Sequence, residues 1–270
     1  MTTVIRNSYR NSEGRMDIDG MGQLRKHVPD LNTPRGRARI GLYLLGWFVL
    51  VTLYFVISDH IPTWSIDSQI VILALGFLVL RLFFTRKKAY QEKYKELAYR
   101  NAFAHYGIPG LAIIMAAVAH AGYMNGPFVP RGWWTTVFIG LGLWLLIIGA
   151  ALWIRSIFAF GFDNLALLYV YFPEEGKIVD ANIYSVLRHP VYAAVLRIII
   201  GLALLNGNAN SIAFILFAPL GLFGWIRLVE EKELIERFGL SYLDYRKRVP
   251  AFWPRLQGYV KFFRFLLTGK

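Results

Sequence analysis

Six stretches of the chain are apolar almost without interruption, running approximately from 41 to 58, 69 to 84, 102 to 122, 132 to 154, 190 to 206 and 211 to 229. A helix that crosses a hydrocarbon core roughly 30 Å thick needs about 20 such residues. The pattern therefore predicts an all-α, polytopic membrane protein with about six transmembrane helices. Asn206-Gly207-Asn208-Ala209-Asn210 is turn chemistry, and it makes the last two helices a tight hairpin. The polar residues are distributed unevenly between the stretches. Arg6, Arg10, Arg15, Arg25, Lys26, Arg35, Arg37 and Arg39 precede the first, and Arg86, Lys87, Lys88, Lys93, Lys95 and Arg100 follow the second. The first and fifth connections carry no Lys or Arg, and the third carries Arg131 alone. Basic residues near spans are retained on the cytoplasmic side, so both termini and the 156–189 connection are expected there, with Pro62 and Asn208 on the far side. The charged run 85–99, free of Gly and Pro, is expected to extend the second span as a continuous helix.

Composition narrows the class. With 56% hydrophobic, 16% aromatic and 17% charged residues the chain is too apolar for a soluble domain, for a disordered segment or for collagen. The absence of cysteine excludes disulfides, thiolate zinc sites, a cysteine nucleophile and palmitoylation, and no metal site is read. A net charge of +13 does not indicate nucleic acid as a partner, because the basic residues alternate with apolar runs instead of lining a soluble face. Residues 1–40 read as a basic polar arm suited to anionic membrane lipids, with no signal peptide expected. Residues 41–142 read as the N-terminal transmembrane helices and 143–270 as the catalytic core.

The hairpin places chemistry. Roughly forty residues, two helices of about 18 at 1.5 Å rise plus a turn, return Glu230 to the level of His189. Pro190 suits a first helical turn because it has no amide hydrogen to lose, which leaves Arg188 and His189 just outside the fifth helix and Tyr192 within its first turn. Two adjacent carboxylates, Glu230 and Glu231, then face Arg188, His189 and Tyr192 in a polar pocket at the membrane surface. The pocket is expected from the 156–189 connection and the C-terminal segment. Arg155, Arg197 and Arg227 lie in or at the ends of apolar helices, where a charge is costly unless it meets protein, water or ligand. Arg155 and Arg227 are placed either to snorkel or to meet a ligand; Arg197, deeper in its helix, needs a partner.

Leu187-Arg188-His189-Pro190-Val191-Tyr192, then Glu230-Glu231-x-x-Leu234, then Phe238-Gly239-x-x-Tyr242-x-x-Tyr245-x-x-x-Val249-Pro250-x-x-x-Pro254 resembles the isoprenylcysteine carboxyl methyltransferases and their phospholipid methyltransferase relatives. The stretch from Gly176 to Tyr184 and the arginine of the segment Ile154-Arg155-Ser156 resemble the same family. Ala194 stands where the family pattern has Gly, and Val195 where the prenyl enzymes often have Trp. The resemblance implies an integral-membrane enzyme that transfers methyl from S-adenosylmethionine to a lipid or lipidated substrate entering from the bilayer. It assigns the cofactor to Ile178, Val179, Tyr184, Arg188, His189, Tyr192, Glu230 and Glu231, with the aromatic C-terminal segment closing over it.

A sulfonium methyl is already activated, so the protein has only to align nucleophile, methyl and sulfur and exclude water. A carboxylate acceptor needs a cation to draw it in, for which Arg155 and Arg227 are the candidates. An amine or thiol needs a proton acceptor, which Glu230 or His189 offers. The acceptor stays open among isoprenylcysteine carboxylate, phospholipid amine and small thiol. Two readings of other classes are an NADPH-dependent sterol reductase-like enzyme and a lipid-binding protein without activity.

Overall fold

The computed structural model describes residues 21–176 and 178–269; the first half of the expected arm, including Arg6, Arg10 and Arg15, and Lys177 lie outside the described residues. Helix α1 (Met21–His27) leads to α2 (Pro34–Ser58), which starts several residues before its apolar run because Thr33 caps it: the Thr33 hydroxyl accepts from the Gly36 amide at 3.0 Å, with Pro34 in the first turn. Next come α3 (Ser65–Thr85), α4 (Lys87–Tyr94), α5 (Ala98–Ala102) and α6 (Ile108–His120), with a π-helical turn at Phe103–Gly107 between the last two. The long α7 (Trp133–Phe160) is followed by the short α8 (Phe162–Leu165) and α9 (Leu168–Tyr171), then the hairpin of α10 (Pro190–Asn206) and α11 (Ala209–Trp225). A second π turn, Ile226–Glu230, joins α11 to α12 (Glu231–Phe238), and α13 (Leu240–Arg248) and α14 (Tyr259–Thr268) complete the chain.

Five stretches are long and apolar enough to span a membrane: Pro34–Ser58, Ser65–Thr85, Lys87–His120, Trp133–Phe160 and Ala209–Phe238. The sixth expected span, Pro190–Asn206, is apolar but only 17 residues long. Among the described residues there is no β-strand, so the protein is an all-α, multi-pass membrane protein. Leu42, Leu50, Ile57 and Ile147 point outward, as lipid-facing side chains do. The expected continuous helix over 85–99 is corrected. It breaks at Arg86 and ends at Tyr94, where Lys95 takes φ 50°. No residue of α4 is buried, so nothing holds it in line with α3; the chain reverses and Tyr90 bonds His105 Nδ1 at 2.9 Å.

The connections sort cleanly between the two ends of the bundle. At one end the Asn125 side chain donates to the Asp59 carbonyl at 2.8 Å, His120 Nε2 lies 3.0 Å from the Asp59 carboxylate, and the Asn206 and Asn208 amides both donate to the Met124 carbonyl. At the other, Tyr99 donates to the Ala166 carbonyl at 2.9 Å and Tyr171 to that of Phe83 at 3.3 Å, tying the α3–α5 bend to the connection after α7. The basic residues of the second connection and of the C-terminal segment gather at this second end.

Helices α7 and α10 form the closest pair in the fold because small residues line their contact, as is usual where lipid removes the hydrophobic incentive to associate. A Cβ built on Gly201 would lie 2.8 Å from the Gly142 carbonyl oxygen and 3.0 Å from the Leu146 amide nitrogen. Gly201→Val is expected to destabilise the detergent-solubilised protein by about 1–3 kcal/mol, read as a lower thermal unfolding midpoint. Gly41→Ala, with open space around it, is the control; equal midpoints for the two variants would refute the close-packing account.

Candidate active site

The site forms at the second end, where the α10–α11 hairpin delivers both of its polar termini. His189 is the residue before α10, and Pro190 starts the helix. On the other arm, the π turn Ile226–Glu230 widens the helix by one residue and so rotates the start of α12. Glu230 and Glu231 are thereby set against the two edges of the His189 ring. Glu231, only 3% exposed, accepts from Arg188 Nε at 2.8 Å and from His189 Nε2 at 3.2 Å, and its second oxygen lies 3.4 Å from Arg246 Nη1 on α13. Glu230 Oε1 lies 3.6 Å from His189 Nδ1. Burial works against a charged His189, but its hydrogen bonds to Glu230 and Glu231 prevail and raise its pKa above the ordinary histidine value.

The segment beyond α13 is strapped to the same corner. The Arg188 amide donates to the Pro250 carbonyl at 2.9 Å and the His189 amide to that of Ala251 at 3.2 Å, while Arg188 Nη1 reaches the Val249 carbonyl at 2.9 Å. Arg197 finds its partners here too. It donates to the Ala193 and Phe252 carbonyls at 2.7 and 3.2 Å, with its guanidinium 4.2 Å above the Trp253 ring. The partner that the sequence demanded is thus backbone and ring, not a carboxylate.

Between strap, hairpin and connection lies a cleft. Ile178, Val179, Tyr184, Arg188, His189, Tyr192 and Glu230 all line it, joined by Tyr242 and Tyr245 of α13. Phe160 stacks on Tyr184 with ring centres 5.0 Å apart, and the Tyr245 hydroxyl fixes the turn by donating to the Tyr184 carbonyl at 2.7 Å. Buried polar groups normally find partners. Yet Glu230 Oε2 and the Tyr184 and Tyr242 hydroxyls are buried here with no hydrogen bond, three polar atoms converging on one aromatic cleft.

Three of the expected site residues stand apart from it. Glu231 does not line the cleft, because both its oxygens are taken up by Arg188, His189 and Arg246. Arg155 faces the C-terminal helix and donates to the Leu267 carbonyl at 3.2 Å. Arg227 is exposed on the first residues of the π turn and does not line the cleft. The structure adds Phe84, Phe160, Tyr169, Glu233 and Arg237 to the walls. Glu233 and Arg237, paired at 3.2 Å with i,i+4 spacing, are not among the expected site residues. The turn at Gly239, φ 58°, folds α13 back over α12, while Tyr169 and Gly176 of the connection after α7 close on Arg237.

Every cleft residue from Phe160 to Arg237 falls within one matched segment. Residues 137–241 match the phospholipid methyltransferase family. The chain is also similar to Protein-S-isoprenylcysteine O-methyltransferase B of Arabidopsis thaliana, 28% identical over 149 residues that cover 54% of this chain and 72% of the relative. To Methanethiol S-methyltransferase 2 of Bradyrhizobium diazoefficiens it is 31% identical over 144 residues, 47% of this chain and 52% of the relative, so it spans about half the length of that protein. No solved structure matches the chain significantly. The matched family and both relatives are methyltransferases, which favours that class over the reductase and the inactive lipid-binding readings.

Glu231 thus holds three basic partners from two segments, Arg188 and His189 at the start of α10 and Arg246 on α13. Glu231→Gln leaves those charges without their counter-ion, and breaking such a buried set costs about 3–5 kcal/mol. A large drop in thermal midpoint is expected. Because the pKa of His189 is raised, its share of the stability is fully present below about pH 6.5 and is lost as pH rises through the folded value. A midpoint in His189→Gln that keeps the wild-type fall at alkaline pH would sink this assignment.

Proposed function

We propose that the chain is an integral-membrane S-adenosylmethionine-dependent methyltransferase whose donor lies in the Tyr184–His189–Glu230 cleft and whose acceptor is a lipid or lipidated molecule entering from the bilayer. The observation that carries the reading is the convergence of three unpartnered buried polar atoms, Glu230 Oε2 and the Tyr184 and Tyr242 hydroxyls, on an aromatic cleft that the matched segment largely builds. The residues fit such a donor. Glu230 suits the ammonium or ribose hydroxyls, the raised pKa of His189 and the adjoining Arg188 suit the carboxylate, and Ile178, Val179 and the ring of Tyr184 offer an adenine slot.

When bound, the cofactor supplies a methyl group already activated by its positive sulfur. The chain's own work is then positional. Tyr192 is held by the Trp225 indole, which donates to its hydroxyl at 3.1 Å, and the strap excludes water from above; alignment of this kind is worth about 7–11 kcal/mol. An acceptor of the isoprenylcysteine carboxylate type is the first reading, as the relative covered over 72% of its length acts on one by name. A phospholipid amine or a small thiol would require Glu230 to take a proton. Both termini and the cleft are assigned to the cytoplasmic side, because the basic connections gather at the cleft end and Arg131 alone among them lies at the other.

Titration calorimetry with S-adenosylhomocysteine tests the donor. Glu230→Gln and Tyr184→Phe are expected to weaken binding, the first by about 1.5–3 kcal/mol as for a hydrogen bond to a charged group, while Arg155→Ala and Arg227→Ala retain wild-type affinity. Undiminished binding in Glu230→Gln would end the cleft assignment. Topology is read separately on this cysteine-free chain: cysteines at the exposed positions 256 and 128 are expected to label from opposite faces, 256 from the cytoplasmic one.

A further inference from the structure

A second cavity adjoins the donor cleft, in the angle between the end of α3, the start of α4 and the π turn with α12. Its charged residues are Arg81, Lys87, Lys232 and Arg237 against Glu233 and Glu236. The carboxylates are already engaged, Glu233 by Arg237 at 3.2 Å and Glu236 by Lys232 at 4.0 Å. Among the described residues neither Arg81 nor Lys87 is in an ion pair, so the cavity keeps an excess of two positive charges on the α3–α4 side. Arg81 is exposed on the last turn but one of an apolar spanning helix. A charge at that depth is costly unless it meets a counter-ion. Leu228, 73% exposed, and the partly buried Val229 add an apolar lip. Phe84, Val170, Glu233 and Arg237 line both cavities, so a single layer of side chains separates the two.

We propose that this second cavity is the seat of the acceptor: Arg81 and Lys87 hold a lipid-borne phosphate or carboxylate distinct from the group that is methylated, the lipid chains lie along Leu228 and Val229, and the separate nucleophile is directed past Phe84 and Arg237 to the donor. This rests on the methyltransferase reading and reassigns the acceptor's cations from Arg155 and Arg227, which line neither cavity. A guanidinium and an ammonium together suit an anion at the headgroup level of a leaflet, where basic pockets between helices take lipid head groups.

The test uses the full chain in a neutral maltoside detergent with dodecyl phosphate as probe. Wild type is expected to bind it, and Arg81→Gln/Lys87→Gln to bind it at least about tenfold more weakly with S-adenosylhomocysteine affinity retained. The charge-preserving pair Arg81→Lys/Lys87→Arg should recover most of the probe affinity, which separates charge from folding. Equal probe affinity in wild type and the Gln pair overturns the proposal. Displacement of the probe by equimolar inorganic phosphate overturns its lipid-borne part, since a free anion would then suffice. A wild type that binds the probe yet transfers no labelled methyl to a lipid extract refutes the enzymatic reading and leaves the anion seat standing.

Discussion

A single buried carboxylate organises the end of this molecule where the chemistry lies. Glu231, on α12, receives Arg188 and His189 from the start of α10 and Arg246 from α13, so one carboxylate ties three elements together. The desolvation of that carboxylate is offset only while all three cations are present, which makes the arrangement close to all-or-none. Arg188 passes the constraint on: held by Glu231, it presents its remaining donors and its amide to the strap at Val249 and Pro250. Cleft, strap and hairpin are thus one cooperative unit instead of three adjacent ones.

Within the Glu230-Glu231 pair, adjacency in sequence becomes a division of labour in space. Successive helical residues point about 100° apart, and the π turn sets the pair so that one carboxylate is saturated by cations while the other keeps an oxygen unbonded in the cleft. The saturated one fixes the frame, and the unsaturated one is left to meet a ligand. Both read as cofactor contacts in the sequence, because the motif alone cannot distinguish a carboxylate's two possible audiences.

Much of the fold was legible because the bilayer imposes a length rule that the apolar runs obey, and the convergence of His189 with Glu230 came from the arithmetic of a hairpin. The features that escaped the sequence are of one kind: directions taken by backbone that departs from regular helix. The reversal at Lys95, the widened turn before Glu231 and the fold-back at Gly239 each send side chains where periodicity does not point. Glu233 and Arg237 were consequently not singled out, and Arg155 and Arg227, open between snorkelling and meeting a ligand, prove respectively to serve the C-terminal helix and to face outward. Arg197 was recognisable as needing a partner, but a carbonyl and an indole ring leave no signature in composition.

That same arginine sets the order in which the site can come into being. Its guanidinium is seated on the Phe252 carbonyl and the Trp253 ring, and Arg188 on the carbonyls of the same stretch. During synthesis the hairpin emerges from the ribosome well before residues 249–253 do, so α10 must be inserted with the Arg197 guanidinium inside it, and Arg188 just ahead of it, before their resting places have been translated. The insertion machinery or the headgroup layer has to shelter those charges in the interval, and the donor cleft acquires its roof only after the hairpin is in place.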